Sequence, residues 1–165
     1  MDDTSAAYDA SAHTYDARYR DIQQGKYAYA LSLSGSLEGD ILDIGCGTGL
    51  FGEFLGKEIW GVDSSPGMLS HAGGRVRAMC ADACDLPFDD DSFDWVVSFT
   101  VLQNIPRAEL AIDEVVRVLR PSGSCILSYL NKPQFAFIGE AIERRFSVCA
   151  TGAHSEDIFY FCKIR

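Results

Sequence analysis

Nine residues, Ile41-Leu42-Asp43-Ile44-Gly45-Cys46-Gly47-Thr48-Gly49, constrain this chain more than any other segment. A run of strand character ends in three glycines at alternate positions. A helical pattern follows over residues 50–56, with Phe51, Phe54 and Leu55 on one side. Strand, glycine-rich turn and helix in succession build a nucleotide-cofactor site for physical reasons. Glycine tolerates positive φ and lets the backbone approach a ligand closely. The start of the helix offers unbonded N–H groups and a partial positive charge. A carboxylate at the end of the next strand can accept two hydrogen bonds from a ribose diol. Asp63 holds that position.

The glycine spacing separates two cofactor classes. The dinucleotide fingerprint is G-x-G-x-x-G, whereas Gly45 to Gly49 reads G-x-G-x-G, and the third dinucleotide glycine would fall on Leu50. Asp43 stands two residues before the turn. A carboxylate there suits a ligand with an ammonium group and disfavours a pyrophosphate. A nicotinamide oxidoreductase is therefore the weaker alternative.

The rest of the chain alternates short apolar runs with helix-like segments, which implies βαβ units and a mainly parallel sheet. Strands are expected at residues 40–44, 58–62, 76–80, 93–99 and 124–130. The last is nearly continuous in apolar residues, as expected of a strand covered on both faces. Ser65 is a plausible N-cap, with Pro66 at the first helical position. Residues 86–92 read as a loop. A helix over 107–119 is expected to end in the turn Arg120-Pro121-Ser122-Gly123. A further helix over 134–146 precedes a hairpin of 146–151 and 157–164 around Gly152. Tyr27 to Leu33 reads as helical, before the sheet begins. No repeat or low-complexity linker divides the chain.

Composition sets limits. The 165 residues suffice for one domain, and 47% hydrophobic with 23% charged residues is the balance of a globular protein. No apolar run approaches the roughly 20 residues of a membrane span, and the acidic Met1-Asp2-Asp3-Thr4-Ser5 is unlike a signal peptide. A cytoplasmic location with no membrane association is expected. A net charge of -10 argues against direct binding to nucleic acid. Arg75, Arg77, Arg117, Arg120, Arg144 and Arg145 read as a solvated surface. Six cysteines form no C-x-x-C pair, so free thiols in a reducing compartment are expected, with no metal site.

With these motifs in place, the chain resembles the class I S-adenosylmethionine-dependent methyltransferases, of the ubiquinone-biosynthesis type (methyltransferase domain 11-like). Residues 41–49 are similar to that family's first motif. Gly61-Val62-Asp63-Ser64-Ser65-Pro66-Gly67-Met68-Leu69 resembles its ribose-binding segment. Ala81-Asp82-Ala83 with Leu86-Pro87-Phe88 resembles the adenine-binding segment, and Phe93 to Ser98 the fourth strand. Glu114 to Gly123 resembles the helix and turn before the fifth. Motifs in this order, over about residues 40–130, are far more specific than a lone glycine loop.

The resemblance implies an α/β, Rossmann-like doubly wound fold with a mostly parallel seven-stranded sheet and a C-terminal antiparallel hairpin. It implies one domain over 1–165: an N-terminal arm or cap (1–36), a cofactor-binding core (40–130) and a C-terminal helix and hairpin (131–165). The cofactor would be S-adenosylmethionine, with S-adenosylhomocysteine as product. Gly45, Cys46, Gly47 and Gly49 would pack on the methionine part, with Asp43 near its amino group. Asp63 and Ser64 would hold the ribose, Met68 would pack on the adenine, and Asp82 with Ala83 would meet the adenine edge. Ser98 and Phe99 would border the methyl-transfer site. Tyr8-Asp9 and Tyr15-Asp16 resemble an arm that closes over the cofactor, with Tyr15 and Lys26 as its candidate contacts. Each has a plainer alternative: Asp43 as a turn cap, Met68 as core filler, Asp82 as a loop cap.

There is one departure. The family often carries histidines where this chain has Leu102-Gln103-Asn104-Ile105, and neither Gln103 nor Asn104 serves as a base near neutral pH. No catalytic residue is assigned. In-line methyl transfer needs mainly positioning, which can offset roughly 7–11 kcal/mol. The acceptor is unidentified, with a small molecule favoured. The short distance from the fifth strand to the hairpin leaves little room for an inserted lid. The arm over 8–26, or a partner protein, is expected to complete the site; a homodimer or an activating protein partner is the association considered. A cofactor-binding subunit, or a catalytic subunit acting on protein or tRNA with such a partner, is the alternative.

Overall fold

The computed structural model describes the backbone of residues 3–165 and the side chains of residues 19–165. The central strands are β1 (Ile41–Ile44), β4 (Phe93–Phe99) and β5 (Leu119–Leu130). They are rich in Val, Ile, Leu and Phe, which fit a pleated surface buried on both sides. β2 (Ile59–Asp63) and β3 (Val76–Cys80) extend the sheet on one side, and β6 (Phe146–His154) and β7 (Asp157–Ile164) on the other. The order is β3-β2-β1-β4-β5-β7-β6. β1 to β5 pair in parallel, and β7 runs antiparallel to both β5 and β6. This is the expected seven-stranded, doubly wound sheet with a C-terminal hairpin.

Helices cover both faces, so there are two cores. One packs α4 (Ala108–Val118) and α5 (Ala136–Arg145) on Leu42, Val96, Cys125 and Leu127. Apolar residues of α4 recur at Ala108, Ala111, Ile112, Val115 and Val118, all buried, which is a helical stripe. The other core packs α1 (Asp3–Ser34) and α2 (Leu50–Leu55) on Ile41, Val97, Ile126 and Phe159. Here Tyr27 meets Phe51 and Phe99 with ring centroids 5.0 and 4.9 Å apart. α3 (Pro66–Ser70) starts as expected, with Ser65 Oγ accepting from Met68 N and proline in the first turn. No described helix is long and apolar enough to cross a membrane.

β3 passes to β4 through residues 81–92 with no helix between them, and residues 86–92 form the expected loop. The structure departs from the sequence reading in three places. Arg120 to Gly123 is not a turn between elements. It lies inside β5 as a bulge, since Phe93 pairs with Leu119 but Trp95 already pairs with Ser124. The helix expected over 134–146 begins as a 3-10 turn at Pro133–Phe135 before α5. The hairpin turns at Ser155 and Glu156, with Ser155 at φ 55°, and not at Gly152. Gly152 is a strand residue opposite Phe159. Its lack of a side chain has a steric cause: a Cβ there would lie 2.1 Å from Tyr29 Oη. Tyr29 is held by stacking on His154 and an edge contact with Phe159.

That contact yields a test. Gly152→Ala should destabilise the chain by about 1–3 kcal/mol through overpacking. Adding Tyr29→Phe removes the clashing oxygen and should recover part of the loss. Urea denaturation of the single and double variants measures both, and strictly additive losses would contradict the contact.

Candidate functional site

Leaving β1, the chain must turn sharply while its neighbours crowd in. The N–H groups of Gly45 and Cys46 both donate to Val62 O, at 2.8 and 3.0 Å, which ties the turn to β2. Gly45 sits at φ 77°, and a Cβ on it would lie 2.3 Å from Val101 Cγ2. Glycine is therefore required there both by conformation and by space. Asp63, at the end of β2, completes the frame. Its Oδ2 accepts from Gly47 N and its Oδ1 from Ser65 N, each at 2.9 Å. One carboxylate thus couples the glycine turn to the start of α3.

Asp43 is different. It is buried, and no side chain or N–H among the described residues donates to its carboxylate. Burial, and secondarily the Asp63 charge, push its pKa up to about 8. Burial, with Asp43 and Asp63 nearby, also pushes the Cys46 thiol well above its ordinary value, so Cys46 is a packed neutral group and not a nucleophile.

These residues open onto a cavity of about 900 Å³. It lies at the C-terminal ends of β1 and β4, where the strand order reverses, the position at which open α/β sheets bind ligands. Asp43, Gly45, Cys46, Gly47, Asp63, Ser64, Met68, Asp82, Ala83 and Phe99 line it, and so does Lys26. Gly49 and Ser98 are not on its wall. Gly49 is the left-handed cap of α2, at φ 83°. Ser98 is fully buried and donates through Oγ to Ile44 O at 3.0 Å. It faces away from Phe99 because neighbouring strand residues point to opposite sides. The side chain of Tyr15 lies outside the described residues.

Asp82 serves as a loop cap, its Oδ1 accepting from Cys84 N at 2.8 Å. The Cys84 side chain also hydrogen-bonds to this carboxylate. The loop beyond it is stapled to α4. Arg117 donates to Leu86 O at 3.1 Å and Phe88 O at 2.7 Å, and pairs with Glu114 and Asp90. Glu114 in turn accepts from Leu86 N at 2.7 Å. Arg117 is thus a structural clamp behind the cavity and not part of a solvated surface. In place of a crossover helix, these bonds give the loop its shape.

The far wall comes from residues with no motif. Tyr19, Ile22, Gln23, Lys26 and Tyr27 of α1 line it, with Thr100, Val101, Gln103, Leu130 and Glu156. Residues 19–27 of the arm therefore do wall the cavity. Lys26 is 7% exposed and donates to Thr100 Oγ1 at 2.7 Å, with Asp157 Oδ2 at 3.1 Å. Asp157, fully buried, also accepts from Thr100 Oγ1 and from Ser128 Oγ. Thr100 adopts φ 60°, uncommon for a β-branched residue. Sequence reasoning named Lys26 but missed Thr100 and Asp157. The available signal was a polar residue at each of two strand positions, Ser128 and Asp157, beside apolar neighbours.

Comparisons with known proteins agree with this geometry. A family model described as a methyltransferase domain matches residues 42–127. The demethylmenaquinone methyltransferase of Clavibacter sepedonicus is 38% identical over 102 residues, 56% of this chain and 42% of that protein. That of Staphylococcus carnosus is 36% identical over 104 residues, with 56% and 43% covered. The matched region thus spans less than half the length of these curated relatives. Among solved structures, a chain from the complex of the Haloferax volcanii Trm112 methyltransferase activator with a methyltransferase superposes with a TM-score of 0.81. It is 19% identical, with 99% of this chain and 98% of that chain covered. An Aquifex aeolicus S-adenosylmethionine-dependent methyltransferase gives 0.78 at 16% identity, with 95% and 98% covered.

The raised pKa of Asp43 has a consequence for the ligand-free chain. Between about pH 4 and pH 8 the folded state keeps a proton that the unfolded state releases. Stability therefore falls as pH rises through that window and levels off above it. Asp43→Asn should remove this component, so its melting temperature should exceed the parent's by a margin that grows from pH 5 to pH 8. Parallel melting curves across that range would contradict the burial of an unpaired carboxyl.

Proposed function

The chain belongs to the methyltransferase-domain family of class I S-adenosylmethionine-dependent enzymes, and from that premise we propose that it transfers a methyl group from S-adenosylmethionine to a small-molecule acceptor. The observation that carries this is Asp43, a buried carboxyl group with no donor among the described residues, at the wall of a cavity lined by the family's motifs. Such a group calls for a cation. The cofactor's ammonium answers it, and the acid-rich wall of Asp43, Asp63 and Asp82 suits a ligand that also carries a sulfonium. When bound, the cofactor supplies an electrophilic methyl group, and S-adenosylhomocysteine remains.

The chain's own residues bind and orient. The Gly45–Gly47 backbone packs on the methionine part, and Asp63 with Ser64 holds the ribose hydroxyls. Met68 and Ala83 flank the adenine, and Asp82 accepts from the adenine amino group. Phe99 borders the path of transfer. None of the described histidines lines the cavity. Alignment of acceptor, methyl and sulfur is therefore the main task of the protein, and such alignment can offset roughly 7–11 kcal/mol. The arm over 1–36, the core over 40–130 and the segment over 131–165 act as one unit, because the arm and the last hairpin wall the same cavity as the core. A small-molecule acceptor follows the relatives named for demethylmenaquinone. A second reading adds an activating protein partner, and the full-length likeness to a chain from the Haloferax volcanii activator complex favours it.

Calorimetric titration with S-adenosylmethionine tests the cofactor reading. Below about pH 8 the Asp43 proton must leave as the ammonium arrives. Affinity should rise toward about tenfold per pH unit between pH 6 and 7, with proton release to the buffer. Asp43→Asn should bind weakly and without that slope. No binding by the parent chain sinks the proposal. Labelled-methyl transfer to metabolite pools by the purified chain alone supports the small-molecule reading. Transfer only after a cell extract is added supports the partner reading.

A further inference from the structure

The seven-stranded sheet ends in two edges, β3 and β6. An edge strand presents backbone N–H and C=O groups that another strand can bond. The two edges here are built differently. β3 is five residues long and is guarded by charge. Its Arg77 pairs with Glu58 and lies over the Trp60 ring, 5.4 Å from the centroid. β6 is nine residues long, and from Phe146 to His154 it contains no Asp, Glu, Lys, Arg or Pro. Ser147, Val148, Cys149, Thr151 and Ala153 are exposed, Val148 at 38%. β7 bonds one side of β6, and no strand lies along the other. Folded proteins commonly blunt such an edge with charge or proline, and β6 has neither.

The distribution of charge says what fits this edge. The chain carries a net charge of -10, so a second copy is repelled over most of the surface. β6 itself is uncharged, and its two ends are flanked by opposite signs. At its start, Lys163 lies opposite Ser147 in register, and Arg165 donates to Phe146 O at 3.1 Å. Both cations are exposed, and neither pairs with a carboxylate among the described residues. Just past the end of β6 stands Glu156, also exposed and outside any ion pair among the described residues. An antiparallel copy of β6 reverses this order, so the basic start of each strand meets the acidic end of the other. A bulge at Cys149, between the pairs Val148–Cys162 and Ala150–Phe161, bends the strand near its middle. A two-fold axis there sets bulge against bulge and leaves both halves of the strand able to pair.

We infer that β6 is a dimerisation edge, and that its occupant is β6 of a second copy of this chain, running antiparallel across a two-fold axis near Cys149. The contact joins the two sheets into one. It is isologous, so a single surface suffices, and backbone groups supply its bonds, as in other strand additions. It also reaches the site. Glu156 lines the cavity, so the basic strand start of the second copy stands at the cavity rim of the first. The inference goes beyond the methyl-transfer reading and is tested without cofactor, so the two can fail separately.

Sedimentation equilibrium of the full chain should show a reversible monomer–dimer equilibrium. Hydrogen exchange at rising protein concentration should slow at amides within residues 146–154 and stay unchanged in residues 76–80. Val148 and Thr151 share a face, opposite Cys162 and Tyr160. Val148→Lys with Thr151→Lys gathers like charges along the seam and should raise the dimer dissociation constant by roughly tenfold or more. Glu156→Lys should also weaken the dimer, and adding Lys163→Glu with Arg165→Glu should restore it. A chain that stays monomeric at every concentration overturns the inference. So does exchange that slows in β3 and not in β6, a dimer indifferent to the paired lysines, or charge reversals that fail to compensate. The exchange measurement needs only the parent chain, so it decides the matter even if a variant does not fold.

Discussion

Helix α1 lies over the cavity because Lys26 exchanges its hydration for Thr100 Oγ1 and the buried carboxylate of Asp157. Desolvating two charges is costly, and an ion pair of this kind adds little net stability over an apolar pair. Removing one partner alone is another matter, costing about 3–5 kcal/mol because a buried charge is stranded. The pair therefore acts less as glue than as register. It lets α1 settle on the sheet in one position, with Tyr27 wedged among Phe51, Phe54 and Phe99. The same contact gives the cavity its far wall, so docking of the arm and formation of the site are one event.

Two buried aspartates are treated in opposite ways. Asp157 Oδ2 receives an ammonium and two hydroxyls. Asp43, on the cavity wall, receives no donor among the described residues. A fold selected only for stability would not keep the second arrangement, since an apolar residue would fit β1 better. The strain is local and chemical, and binding a cation relieves it. The contrast is one of charge: an ammonium lies beside Asp157 Oδ2, although Asp157 Oδ1 is buried with no partner among the described residues, whereas Asp43 has no cation beside it among the described residues.

How much of this was legible in the sequence follows from the range of each interaction. β3 and β4 match the expected residues 76–80 and 93–99, and Ser65 caps α3, because these depend on neighbours within a few positions. The glycine turn was legible because backbone conformation and close approach admit glycine alone. Asp157 was not, since its partner Lys26 is remote in the chain and neither lies in a motif. Gly152 was misread as a turn because glycine signals a turn locally, whereas here it makes room for Tyr29. Arg120 to Gly123 carry turn chemistry as expected, but parallel pairing with β4 absorbs them as a bulge. Arg117 looked like solvated surface because two of its partners are loop carbonyls, which have no signature in side-chain sequence.

The topology explains why the missed residues matter as much as the motif. Reversal of strand order between β1 and β4 leaves a crevice that belongs to neither βαβ half. The motif residues can furnish only the side built from β1, β2 and β3. The other side must come from whatever follows β4, β5 and β7, and from any segment that covers them. In this chain those are Thr100, Leu130, Glu156 and α1, elements distant in sequence that meet only when the sheet is complete. Cofactor chemistry is thus written locally, in a turn that can be read by eye. The rest of the cavity wall is written in tertiary contacts, where a lysine on a helix and an aspartate on the last strand become neighbours only in the folded chain.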